Sequence, residues 1–323
     1  MIIEKLKPIL AGIIKHIPGV KKILPKSISS AFDSRYCYSV WMRHLINHNT
    51  FNNRIPANVL EFGPGDSLGT GLAALLSGSE HFYALDVVKY WDNNENLKIF
   101  EELIDLFKNK VNIPDNSEFP NLNPQISNYS FPSNILSDSI LNKTLDENRL
   151  NTIRKELLDI DNPLNSFIKY YIPWNSTDII KAKSIDFIYS QAVLQHVEDL
   201  DNSFYAMGKW LKPSGLMSHT VDFKSMGVTK SWNGHWAFND LEWEIVRGGK
   251  PFLINRLPYS KYIELHSKYG FNILVNLPKK LKNRLNRDQL SSKFIYLSED
   301  DITTSGAYIL SIKESKCCIA LDL

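Results

Sequence analysis

Asn58-Val59-Leu60-Glu61-Phe62-Gly63-Pro64-Gly65-Asp66-Ser67-Leu68-Gly69 is the stretch from which the fold of this chain can be read. Val59 and Leu60 belong to a short apolar run that stops at a cluster of glycines interrupted by a proline, the signature of a buried strand feeding a tight turn. In the sequence that follows, Leu68-Gly69-Thr70-Gly71-Leu72-Ala73-Ala74-Leu75-Leu76, apolar residues recur at three and four positions, and Ser77-Gly78-Ser79 supplies a stop. Strand, glycine turn and helix in this order leave the first helical amides facing whatever the turn approaches. The stretch predicts a ligand-binding loop.

The spacing narrows the ligand. A dinucleotide fingerprint places its glycines as G-x-G-x-x-G; here they fall at 63, 65 and 69, one residue too far apart, and no Gly-Lys-Ser/Thr phosphate loop is present. Glu61 ends the strand, an awkward position for a carboxylate beside pyrophosphate but a suitable one beside a cationic amino-acid group. His81-Phe82-Tyr83-Ala84-Leu85-Asp86 reads as a second strand closed by an acid. An ionised carboxylate only accepts hydrogen bonds, so Asp86 suits the two hydroxyls of a ribose.

These residues resemble the class I S-adenosylmethionine-dependent methyltransferases, whose first motif is an acid, any residue and Gly-x-Gly, and whose second is the acid closing strand two. The resemblance continues in Ser184-Ile185-Asp186-Phe187-Ile188-Tyr189-Ser190-Gln191-Ala192-Val193-Leu194-Gln195-His196-Val197-Glu198-Asp199, similar to the family's fourth strand and the turn after it, and in Leu211-Lys212-Pro213-Ser214-Gly215-Leu216-Met217, similar to its turn into strand five. It implies an α/β fold with a Rossmann-like seven-stranded sheet of order 3-2-1-4-5-7-6, the last strand antiparallel. It also implies S-adenosylmethionine as cofactor, with Glu61, Gly63, Pro64, Gly65 and Asp66 around the methionine portion, Asp86 at the ribose, Asn175 or Asp178 beside the adenine, and Ser190 and Gln191 closing the site. The expected organisation is a helical region over residues 1–50 and a methyltransferase domain over 51–323, with an insertion at about 92–166.

With 323 residues, 43% of them hydrophobic, the chain can bury a large core. A net charge of +2 without a clustered basic stripe excludes a nucleic-acid surface from the expectations. Cys37, Cys317 and Cys318 have no metal-ligand spacing, and a reducing, cytoplasmic setting fits them. Residues 1–26 are amphipathic and lysine-rich, too short in apolar run to span a bilayer. They predict a helix packed on the core, with peripheral membrane contact as the competing reading.

Residues 34–47 carry an aromatic stripe, Tyr36, Tyr38 and Trp41, at a position where the resembling family covers its cofactor; Tyr36 and Tyr38 are candidates for that role. Helices are expected at 96–110 and 143–160, separated by an Asn-, Pro- and Ser-rich stretch at 112–139 that reads as a lid. Strand three is expected at 167–172, with Trp174 after it as a stacking candidate. Toward the end, a helix at 258–270, strand six at 272–275, a basic helical patch at 279–287 and strand seven at 307–312 complete the reading.

Methyl transfer requires alignment of an acceptor lone pair with the methyl carbon and exclusion of water, and a hydroxyl acceptor also requires a base. Histidine titrates nearest neutrality. Three are candidates: His196 after strand four, His219 in strand five, and His235 in a Trp-rich loop where Trp232 and Trp236 could wall a sugar ring. The expected acceptor is a small molecule or glycan, through a hydroxyl. No acidic cluster suggests a metal. A nicotinamide-dependent oxidoreductase and a non-catalytic scaffold are the alternatives.

Overall fold

The computed structural model describes residues 5–10, 33–89, 92–174, 176–248 and 253–314. In chain order the principal elements are α1 (Ser34–Phe51), β1 (Asn58–Phe62), α2 (Gly69–Leu76), β2 (His81–Leu85), α3 (Asn93–Lys108), α4 (Asp138–Thr144), α5 (Glu147–Leu158), β3 (Ile168–Tyr171), β4 (Ile185–Gln191), α6 (Leu200–Trp210), β5 (Leu211–Asp222), α7 (Asp240–Arg247), α8 (Tyr259–Lys268), β6 (Phe271–Lys280), α9 (Glu299–Thr303) and β7 (Thr304–Lys313). The seven strands form one sheet in the order β3-β2-β1-β4-β5-β7-β6, as expected. Pairs from β3 through β5 are parallel, and β7 runs antiparallel to both of its neighbours.

Alternation along the strands sorts side chains into two apolar layers. Val59, Phe82, Ala84, Phe187 and Tyr189 face the layer that contains Tyr38, Trp41 and Leu45 of α1 together with α2 and α3. Leu60, Phe62, Leu85 and Ile188 face the other, with Phe204, Met207 and Trp210 of α6 and Tyr262 and Leu265 of α8. Removal of each such side chain from water contributes roughly 1.5–3 kcal/mol. Helix α1 belongs to this core: Tyr38, Trp41, Met42 and Leu45 are fully buried. Asp33 caps it by accepting from the Arg35 and Tyr36 amides at 2.8 and 3.3 Å. On α2, a Cβ on Gly71 would lie 1.9 Å from the Phe82 ring, so glycine is what lets the helix sit so low on β2.

Several sequence expectations are corrected here. The helix expected over 143–160 is two, because the first ends at Thr144 and Asp146 caps the next by accepting from Asn148 and Arg149 amides. The basic patch at 279–287 is not a helix. Strand β6 runs on through Lys280, paired with Thr304 of β7, and only Arg287–Gln289 form a single 3-10 turn. Two of its charges are met locally: Lys280 binds Asp300 at 2.5 Å and Arg287 binds Glu299 at 2.7 Å. The Asn-, Pro- and Ser-rich stretch expected as a lid is a strap fastened to α1. The fully buried guanidinium of Arg43 donates to the carbonyls of Pro114, Leu122 and Pro124 at 3.1, 2.7 and 3.3 Å, and Arg35 pairs with Glu118 at 2.6 Å.

Of the amphipathic stretch 1–26, the described part is a helical segment at 5–10. It packs on the core as expected, with Lys5 bonded to Glu242 at 2.6 Å and Ile9 against the cluster of Phe238, Trp243, Val246 and Ile254. The rest of the stretch expected to touch a membrane lies outside the described residues. No helix among the described residues is long and apolar enough to cross a bilayer.

Candidate active site

The order of the sheet reverses between β1 and β4, and open parallel sheets bind ligands at the carboxyl ends of the strands at such a point. A cleft of about 840 Å³ opens there. Its floor is the turn after β1. Gly63 and Gly65 adopt φ of 71° and 69°, in the left-handed region that glycine enters without strain. A Cβ on Gly63 would lie 2.4 Å from Val193, whereas one on Gly65 would meet nothing within 4 Å. Backbone there stands open to a ligand.

The two acids flank this floor. Asp86, just beyond β2, accepts from the Gly65 amide at 3.2 Å and the Val87 amide at 2.7 Å, tying the turn after β1 to the turn after β2. Burial raises its carboxyl above the usual range, and the amide bonds work against that rise. Glu61 is buried, and its Oε2 accepts no hydrogen bond among the described residues. Burial pushes this carboxyl up to about 8; the nearby Tyr189 hydroxyl opposes the shift without reaching hydrogen-bonding geometry. An acid left thus in a cleft is arranged for a cation that brings its own charge.

The walls come from other elements. The turn after β4 supplies Val193 and His196, and Gln195 braces it by donating to the Ala192 carbonyl at 2.7 Å. Asn202 comes from α6, and Arg247 at the end of α7 is bonded to Glu198. Tyr36 enters from α1, edge-on to Phe119 of the strap at 5.5 Å between ring centroids. Trp174 stands on Phe62 at 5.2 Å and Trp210 at 5.8 Å.

The cleft brings together Glu61, Gly63, Pro64, Gly65, Asp66, Asp86, Gln191 and His196 from the sequence candidates, with Tyr36 and Trp174. It does not include the others. Ser190 is fully buried on the far face of β4, bonded at 2.8 Å to Nδ1 of His219, which is itself fully buried beneath α6 and α8. Alternation along β4 and β5 carries this pair away from the ligand. His235 is enclosed by Trp236 and Trp243 at ring distances of 4.7 and 6.4 Å, and its pKa is depressed by burial to about 3. The Trp-rich loop is therefore core, with the Trp236 indole donating to the Arg256 carbonyl at 2.9 Å, and offers no platform for a sugar. Asp178 points away and pairs with Lys209 at 2.5 Å. Asn175 lies outside the described residues. Tyr38 is core, donating to the Val111 carbonyl at 2.6 Å.

Sequence reasoning missed Asn202 and Arg247, which reach the cleft from helix ends that carry no motif, and passed over Val193 although it lies within the motif after strand four. It also missed His44, a polar residue on the buried face of α1 whose Nε2 lies 3.3 Å from Oε1 of the cleft residue Gln191. No group of three or more metal-ligating side chains occurs among the described residues.

The sheet order is that of the Rossmann-like methyltransferase fold. No family model matches the chain, and no curated protein matches it. Solved structures similar to it include an S-adenosylmethionine-dependent methyltransferase from Methanosarcina mazei, 14% identical with a TM-score of 0.43 over 83% of this chain and 97% of that one. Geranyl diphosphate methyltransferase in complex with S-adenosylmethionine is 8% identical with a TM-score of 0.43 over 85% of each chain. The CurJ carbon methyltransferase is 12% identical with a TM-score of 0.40 over 86% of this chain, which spans only 54% of that one. Identities and scores this low carry neither an activity nor a substrate from those proteins to this chain.

Proposed function

We propose that this chain transfers the methyl group of S-adenosylmethionine to a small-molecule acceptor. One observation carries the reading: a buried carboxyl with an unbonded oxygen, Glu61, and a second acid, Asp86, flank a single glycine floor in one cleft. Glu61 would hold the ammonium of the methionine portion, Asp86 the ribose hydroxyls, and Trp174 and Val87 the apolar base. When bound, the cofactor supplies a methyl group already activated by a sulfonium. The protein's share is alignment and the exclusion of water. A dinucleotide would set pyrophosphate near Glu61, where burial makes negative charge unfavourable; this disfavours the oxidoreductase alternative.

The acceptor we propose is a hydroxyl on a small molecule. Support comes from His196, the candidate histidine that lines the cleft, since a hydroxyl must surrender its proton as the methyl carbon approaches. Burial of the Trp-rich loop leaves the glycan half of the expectation without the sugar wall that supported it. The test is a screen of hydroxyl-bearing small molecules by mass spectrometry for a gain of one methyl group, repeated with His196→Asn. Turnover is expected to fall about 10²–10⁴-fold in the variant, well beyond any loss of S-adenosylhomocysteine affinity. Equal turnover by both proteins removes His196 as the base, and methylation confined to amines or thiols removes the hydroxyl.

A further inference from the structure

A chain of buried polar groups crosses the sheet from β7 to the cleft. The Tyr308 hydroxyl lies 3.0 Å from Ser218 Oγ on β5, Ser218 Oγ lies 2.7 Å from Nδ1 of His44 on α1, and Nε2 of His44 lies 3.3 Å from Oε1 of Gln191 at the end of β4. Tyr308, Ser218 and His44 are buried, and only Gln191 reaches the cleft.

The direction of this chain follows from counting protons. The phenol at its far end has one hydrogen-bond partner among the described residues, Ser218, so its proton has one place to go. Tyr308 therefore donates to Ser218, Ser218 donates to Nδ1 of His44, and His44 carries its proton on Nε2 and donates to Oε1 of Gln191. The reverse direction leaves a buried phenolic proton without an acceptor, which is unfavourable. Because the last member is an amide, the chain cannot pass a proton into the cleft. It can only fix which end of the amide faces outward. With Oε1 turned to His44, the NH₂ of Gln191 is the end presented to the ligand.

We propose that His44 is a positioning residue that holds the Gln191 amide as a donor to the carboxylate of the bound cofactor's amino-acid tail. The inference rests on the cofactor reading above. Gln191 lies two residues beyond Tyr189 on the same face of β4, and Tyr189 is the register partner of Glu61. The ammonium and carboxylate of an amino acid hang from one carbon, so a donor on the neighbouring strand, on the same face and two residues beyond the partner of Glu61, is within reach of the carboxylate when the ammonium sits at Glu61.

The test uses the whole chain and two nucleosides, S-adenosylhomocysteine and 5′-methylthioadenosine, the second lacking the amino-acid tail. His44→Phe keeps an aromatic ring in place but cannot orient the amide. It is expected to weaken S-adenosylhomocysteine roughly five- to twentyfold, the effect of loosening one hydrogen bond to a charged oxygen, and to leave 5′-methylthioadenosine unchanged. His44→Gln, whose amide nitrogen can stand in for Nε2, is expected to recover most of the loss. Gln191→Met should match His44→Phe, and the double variant should be no worse than either. Equal weakening of both nucleosides, or of neither, overturns the proposal, as does failure of His44→Gln to differ from His44→Phe. Histidine ¹⁵N NMR of the ligand-free wild type reads the tautomer independently: a proton on Nε2 is expected, and one on Nδ1 overturns the chain. A wild type that binds neither nucleoside contradicts the cofactor reading, while the tautomer still tests the hydrogen bonds by themselves.

Discussion

At the scale of single residues, the proposed function turns on Glu61. A carboxyl titrating near 8 is mostly protonated at neutrality, and an ammonium is held only by its ionised form. Affinity for S-adenosylhomocysteine should therefore rise with pH, by up to about tenfold per unit below pH 8, and the rise should vanish in Glu61→Gln. Calorimetry from pH 6.5 to 8.5 checks this; a flat wild-type profile, or the same slope in the variant, contradicts it. Asp86→Ala should weaken the same ligand by about 1–3 kcal/mol, the worth of charge-assisted hydrogen bonds, and unchanged affinity would take Asp86 out of the site. Both acids were legible in the sequence because each ends a strand, and a strand end fixes where a side chain goes. His219 and Ser190 were misjudged for the same reason. They sit on the correct strands at the correct height, but the period of two sends them to the face under α6 and α8.

At the scale of elements, the strand-turn-helix at 58–76 was readable because glycine is required at φ near 70° and beneath the Phe82 ring. The strap at 112–139 was not. It has no periodicity and is held by its backbone carbonyls, which any sequence possesses, gathered by the guanidinium of Arg43 from another element. The basic run at 279–287 failed differently: lysines suit an exposed helix and an edge strand equally, and pairing with β7 decided between them. Arg43→Met should leave the Pro114, Leu122 and Pro124 carbonyls without their donor and destabilise the fold by about 2–4 kcal/mol, with hydrogen exchange rising first in the strap. A melting temperature equal to wild type would show that the strap is held by something else.

At the scale of the whole molecule, the buried histidines dominate the response to acid. Burial depresses His44, His48 and His266 to about 4 and His235 to about 3, and holds His219 well below its ordinary value. The folded state thus binds fewer protons than the unfolded one below pH 6.5, so stability falls as pH drops from 6.5 toward 4, by up to about 3 kcal/mol for each imidazole. Glu61, raised to about 8, and Asp86, raised by burial, act in the opposite sense and add stability on acidification through that window. Five imidazoles outweigh two carboxyls. Thermal melts should show a steep loss between pH 6.5 and 4, and a melting temperature constant over that range would contradict the burial of these rings. The sheet that buries them also gathers Glu61, Gly65 and Asp86 around one floor, and the function proposed for the chain depends on that convergence. The most direct measurement is a calorimetric titration of the wild-type protein with S-adenosylhomocysteine and, separately, with NADH. Saturable binding of the first and none of the second is the predicted result, and preference for NADH, or silence toward both, would contradict it.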